Sequence, residues 1–147
     1  LTDLQIQPIG KEYPTYVLRF TGQPRSSLTL ACYGYNFEMA RKTALDLLYE
    51  REIFSELVLF SQLSPFETRP LLDSLARTHR LLTLEEGGLT LGWGAELAAR
   101  AAEAGIQGLQ VRRVAALDLP IASSKPLEDA ILPTQETVTA AALALVS

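Results

Sequence analysis

Residues 80 to 105 read RLLTLEEGGLTLGWGAELAARAAEAG, and the order of residue types in that stretch decides the class of fold. RLLTLEE (80–86) is a short apolar run without alternation, as expected of a strand buried on both faces. Four glycines follow, Gly87, Gly88, Gly92 and Gly94, and then an alanine-rich run that predicts a helix from about Trp93 to Ala104, ended by Gly105. A strand, a glycine corner and a helix in that order form half of a βαβ unit. Such units give parallel strands with helices laid over the sheet.

Upstream, TYVLRF (15–20) and SLTLACYG (27–34) are strand-like, and the TGQPRS between them has turn chemistry in Gly22 and Pro24, so the two are expected to pair as a hairpin. Asn36 is a candidate N-cap for an amphipathic helix through FEMARKTALDLLYERE, with Phe37, Ala40, Ala44, Leu47 and Leu48 on one face. ELVLFSQ (56–62) is a further strand. ETRPLLDSLARTH is a second helix with Pro70 in its first turn, where a missing N–H costs nothing. Downstream, VRRVAA (111–116) is a strand, LDLPIASSKP a loop, LEDAIL one helical turn, and TQETVTAAALALV a last helix after Pro133. The expected fold is α/β: a three-layer α/β/α sandwich on a mainly parallel sheet of about five strands, with the first hairpin strand antiparallel at or near an edge.

The chain of 147 residues suits one domain, 1–147, and its start at a leucine rather than a methionine points to a piece excised from a longer chain. With 48% hydrophobic and 20% charged residues it reads as globular and soluble rather than disordered. It contains no apolar run near the roughly 18 residues that cross a bilayer and opens without a signal-peptide pattern, which points to the cytoplasm and away from a membrane. The net charge is −4 and the 13 basic residues are scattered, so a nucleic-acid partner is not expected. Cys32, the single cysteine, reads as a buried small hydrophobe, and one thiol builds neither a disulfide nor a zinc site within one chain.

The glycine corner has two readings. Backbone N–H groups at the start of a helix can hold an anion, which makes Gly87, Gly88, Gly92 and Gly94 candidates for a phosphate or nucleotide cradle. The spacing, however, is neither the Walker pattern nor a complete dinucleotide fingerprint. The plainer reading, which is preferred, gives Gly87 and Gly88 positive φ in a turn and lets Gly92 and Gly94 bring the helix close to its neighbours. Glu85 and Glu86 are adjacent on a strand, so they point to opposite faces and do not make an acid–base pair by themselves. Glu96 in the first helical turn complements the helix dipole, an effect of about 0.3–1 kcal/mol. His79 falls at a helix end beside Arg77 and Arg80 without a nucleophile to serve, and no cluster of His, Cys, Asp or Glu has ligand spacing, so neither catalytic nor metal residues are assigned.

Taken in order, these phrases resemble the C-terminal domain of the beta chain of thiamine-diphosphate-dependent 2-oxo acid dehydrogenases, a member of the transketolase C-terminal family. The matching residues are the acidic pair with its glycine (Glu85, Glu86, Gly87), the Gly-x-Gly-Ala-Glu helix start (Gly92 to Glu96), Arg113 and Val114, the Asp118 to Pro120 loop, and Lys125 to Pro133. PIGK (8–11) and the TLACYG strand also fit. Ala122 and SQLSPFE (61–67) depart from the family pattern.

The resemblance implies a non-catalytic domain of the enzyme's first component, serving subunit assembly and docking to the dihydrolipoyl acyltransferase core, with Asp118 and the C-terminal Ser147 as docking candidates. Partners implied are an alpha chain or upstream domains of the same enzyme, in a homodimer or heterotetramer. Thiamine diphosphate and Mg are implied for the parent enzyme and none for this chain, which lacks the Gly-Asp-Gly motif. Two alternatives stand beside this reading: a regulatory anion- or nucleotide-binding module, and the C-terminal domain of a transketolase-like enzyme. For Asp118 itself, a turn-capping carboxylate is the competing reading.

Overall fold

The computed structural model describes residues 4–147. Strands β1 (Leu4–Ile9), β2 (Thr15–Phe20), β3 (Leu28–Tyr33), β4 (Ser55–Phe60), β5 (Arg80–Gly88) and β6 (Gln110–Ala116) form one sheet in the order β1-β2-β4-β3-β5-β6. The helices are α1 (Asn36–Arg51), α2 (Arg69–Thr78), α3 (Trp93–Glu103), α4 (Lys125–Ile131) and α5 (Gln135–Val146). β4, β3, β5 and β6 run parallel, and β2 pairs antiparallel with both β1 and β4.

Two hydrophobic clusters, one on each face of the sheet, make the three layers. Leu30, Cys32, Leu57, Leu82 and Leu84 pack against α1 and α5 through Ala40, Ala44, Leu47, Val138, Ala142 and Leu145. Ala31, Val58, Phe60 and Leu81 pack against α2 and α3 through Leu71, Leu75, Leu97 and Ala101. Each fully buried leucine contributes about 1.5–3 kcal/mol relative to leaving it in water, so the two clusters dominate the stability of the sandwich.

Three expectations are revised. The hairpin between residues 15–20 and 27–34 does not form: β3 lies at the centre of the sheet, between β4 and β5, and β2 pairs with β1 and β4. SLTLACYG is buried on both faces and pairs parallel with β4 and β5, a pairing reached through helical crossovers rather than through a two-strand turn. The sheet has six strands, because LQIQPI adds an edge strand beyond β2. Pro8 is tolerated there because an edge strand can leave one N–H position unused. Asn36 is the first helical residue rather than the cap of α1, and Tyr35 takes the cap position without a side-chain bond. Pro70 stands in the first turn of α2, and Gly105, at φ +68°, follows the end of α3 as its sequence position suggests.

Candidate functional site

β5 and α3 meet at the carboxyl edge of the sheet, and their junction is built around Glu85. β5 runs on through Gly88, so Glu85 points inward and is 1% exposed while Glu86 points to solvent. One carboxylate oxygen of Glu85 accepts the N–H of Trp93 at 2.8 Å and the other accepts the N–H of Gly94 at 2.8 Å. A negative charge thus sits against the positive end of α3, where unpaired N–H groups and the helix dipole both favour it. At the corner that made Gly87, Gly88, Gly92 and Gly94 candidates for an anion cradle, the N–H groups of Trp93 and Gly94 are bonded to Glu85, which an external anion would have to displace.

The glycines serve this approach rather than a turn. Gly87, Gly88, Gly92 and Gly94 are not among the glycines with positive φ; in this loop the left-handed residue is Leu91, at φ +58°. A Cβ on Gly92 would come within 2.7 Å of Glu85 Oε1, and one on Gly94 would meet the same oxygen at 2.7 Å and Thr83 Cβ at 3.0 Å. The close helix approach anticipated for Gly92 and Gly94 is therefore what their geometry requires, and the turn role given to Gly87 and Gly88 is not.

Beside the corner, Tyr33 stacks edge-on against Trp93 at 5.1 Å, and Phe60 does so at 5.0 Å. Burial and the charge of Glu85 push the Tyr33 phenol above its ordinary value, against backbone hydrogen bonds from Gly87 and Glu86 that pull the other way. Arg100 lies 4.3 Å over the Phe66 ring and pairs with Glu96 at 2.7 Å. His79 caps the end of α2, and because a carbonyl only accepts, its Nδ1 donates to Gln107 O at 2.9 Å.

Asp118 joins the β5–α3 loop to the loop after β6. Its carboxylate accepts the Thr90 N–H at 2.9 Å and the Thr90 hydroxyl at 2.6 Å, while Arg113 donates to Leu89 O at 2.7 Å. Those two bonds from Thr90, aided by the Arg113 charge, hold the exposed Asp118 carboxyl below its ordinary value. Asp118 therefore bonds across to a second loop rather than within its own turn. Neither Thr90 nor the inward role of Glu85 was assigned from the sequence; a carboxylate ending a strand some eight residues before a helix start is the only local signal. Ser147 ends α5, and its N–H donates to Leu143 O. Asp118 shares a cleft of about 540 Å³ with Pro133 and Thr134 at the start of α5, whereas Ser147 follows that helix's last residue, Val146.

The joined loops carry Leu91 at 96% exposure, Leu117, Leu119 at 57% and Ile121, and Leu127 of α4 is 60% exposed. Among the described residues no three His, Cys, Asp or Glu side chains converge as a metal site, and no helix is long and apolar enough to cross a membrane.

The family described as transketolase, C-terminal domain, matches residues 20–138. The chain belongs to this family. Among curated proteins, this transketolase C-terminal domain is 30% identical over 128 residues to the mitochondrial beta subunit of the pyruvate dehydrogenase E1 component of Ascaris suum, covering 82% of this chain and 35% of that protein. It is 29% identical to the Caenorhabditis elegans subunit, over 94% of this chain and 38% of the relative. It is also 30% identical to the beta subunit of acetoin:2,6-dichlorophenolindophenol oxidoreductase of Bacillus subtilis, over 82% and 35%. The chain thus spans little more than a third of the length of these relatives. Among solved structures, an inactive beta4 tetramer of a split-gene transketolase superposes with a TM-score of 0.72 at 23% identity, covering 84% of this chain and 40% of that one, which bears on the fold alone.

Proposed function

We propose that this domain is the non-catalytic C-terminal part of the beta chain of a thiamine-diphosphate-dependent 2-oxo acid dehydrogenase first component, serving subunit assembly and docking to a dihydrolipoyl acyltransferase. The observation that carries the assembly role is the set of exposed apolar side chains on two loops that Asp118 and Thr90 tie together. Side chains of this kind gathered on fixed loops suit a protein partner, and each one covered gains about 1.5–3 kcal/mol at most. The partner is an alpha chain, upstream domains of the same enzyme, or a second copy, giving a homodimer or heterotetramer. Family likeness is the support for the acyltransferase as the further partner, with Asp118 and Ser147 as its contacts.

Thiamine diphosphate and Mg belong to the parent enzyme in this reading, because the residues here do not fit them. Glu85 occupies the helix N-terminus that a diphosphate would need, and its charge repels one. We place the domain in the cytoplasm; the word mitochondrial in several relatives' names marks the other outcome of a fractionation experiment.

Light scattering on wild type and on Leu91→Asp/Leu119→Asp tests assembly. Self-association of wild type, or capture of the alpha chain, should be lost in the variant with its circular dichroism unchanged; a wild type that is monomeric and does not bind the alpha chain sinks the reading. Pull-down of the acyltransferase by the parent enzyme carrying Asp118→Ala, or lacking Ser147, tests docking, and unchanged capture removes that residue from it.

A further inference from the structure

We infer that the amino edge of the sheet, opposite the glycine corner, carries a binding site for a small phosphate-bearing molecule, built from Arg25, Arg77 and Arg80. The three arginines, far apart in sequence, line one cavity of about 520 Å³ together with His79 and Gln110, and no carboxylate lines it. The size suits a small ligand.

The charges there are unequally met. Arg77 is matched by Glu56, which it grips through Nε at 2.9 Å and Nη2 at 2.6 Å. Arg25 and Arg80 meet no carboxylate among the described residues. Arg25 donates from Nε and Nη2 to Arg77 O, at 3.1 and 3.0 Å, which satisfies a carbonyl at the negative end of α2 without cancelling the guanidinium charge. Arg80 donates from Nη1 to Ser27 O at 3.4 Å, and its buried Nε has no partner. Two uncompensated guanidinium groups around one cavity, in a chain of net charge −4, mark where an anion is attracted. Guanidinium forks match the several oxygens of a phosphate. Phe, Tyr and Trp are absent from the lining, and the His79 ring there is tied through Nδ1 to Gln107 O, so what the cavity offers is charge for a phosphate ester or pyrophosphate.

The test is calorimetric titration of the 147-residue chain with inorganic pyrophosphate at low ionic strength. One saturable site is expected, weakened about tenfold by Arg25→Gln and by Arg80→Gln, and unchanged by Arg41→Gln, whose guanidinium pairs with Glu38 on α1. Arg25 is exposed, so Arg25→Gln keeps the fold, which circular dichroism checks. Absence of saturable binding, equal affinity in Arg25→Gln and wild type, or citrate binding as tightly as pyrophosphate would each overturn the assignment.

Discussion

Glu85 is a buried charge in no ion pair among the described residues; its partners are two backbone N–H groups at the start of α3. A carboxylate is tolerated out of water only when such bonds replace its hydration. In Glu85→Gln one acceptor oxygen becomes an NH₂ facing an N–H, and urea denaturation should show a loss of about 1–3 kcal/mol. Cys32 makes the opposite case, a group that burial silences. Burial pushes its thiol up to about 12, so it stays protonated at neutral pH. A thiol reagent at pH 8 should leave the folded chain unmodified and label it fully in urea; rapid labelling without urea would contradict the burial. The thiol's fate was legible in SLTLACYG because a run of apolar neighbours implies burial. The fate of Glu85 was not, because its bonds span eight and nine residues and depend on which face of β5 turns inward.

At the scale of elements, the capping of α5 is the most local and the easiest to test. Thr134 accepts from the Thr137 N–H while the Thr137 hydroxyl accepts from the Thr134 N–H, a reciprocal cap. Thr134→Ala should therefore cost about 1 kcal/mol, read as a lower denaturation midpoint. The repeats that predict α1, α2, α3 and α5 and the apolar runs of β3 to β6 were legible because each element's own residues carry its period. Pairing was less so. TYVLRF and SLTLACYG are neighbours along the chain, yet β4 takes the place between them, parallel to β3 and antiparallel to β2, a non-local pairing that neither strand's own residues announce. LQIQPI was missed because an edge strand with four exposed residues and a proline has little apolar signal to read.

Across the whole molecule, Glu85 and Asp118 lie at the carboxyl edge, while at the other Arg19 and Arg77 pair with Glu56 and Arg77 also lines a cavity with Arg25 and Arg80. Burial pushes the Glu56 carboxyl up, but hydrogen bonds from Arg77 and Ser74 and the charges of Arg77 and Arg19 outweigh it and leave it below the ordinary 4.5. Because the folded value lies below the unfolded one, this contribution is complete above about pH 4.5 and is lost as pH falls through the lowered value. Denaturation midpoints measured from pH 7 downward should fall on the acid side, and Glu56→Gln should be less stable at pH 7 with a flatter acid limb. A variant with the wild-type slope would remove Glu56 from the acid response. The basic residues are scattered along the chain; the fold collects four of them at one edge, Arg19 from β2, Arg25 from the segment before β3, Arg77 from the end of α2 and Arg80 from the start of β5.

The tethered carboxylate at α3 also behaves as a built-in occupant whose lease can be ended. Trimming it in Glu85→Ala vacates a buried space beside two N–H donors, and a free carboxylate of the right size can move in. Formate or acetate should then raise the melting temperature of Glu85→Ala in a saturable way while leaving wild type unmoved. Chemical rescue of this kind would read out, in a single titration, that the corner's affinity for anions is intact and that the protein keeps it satisfied from within.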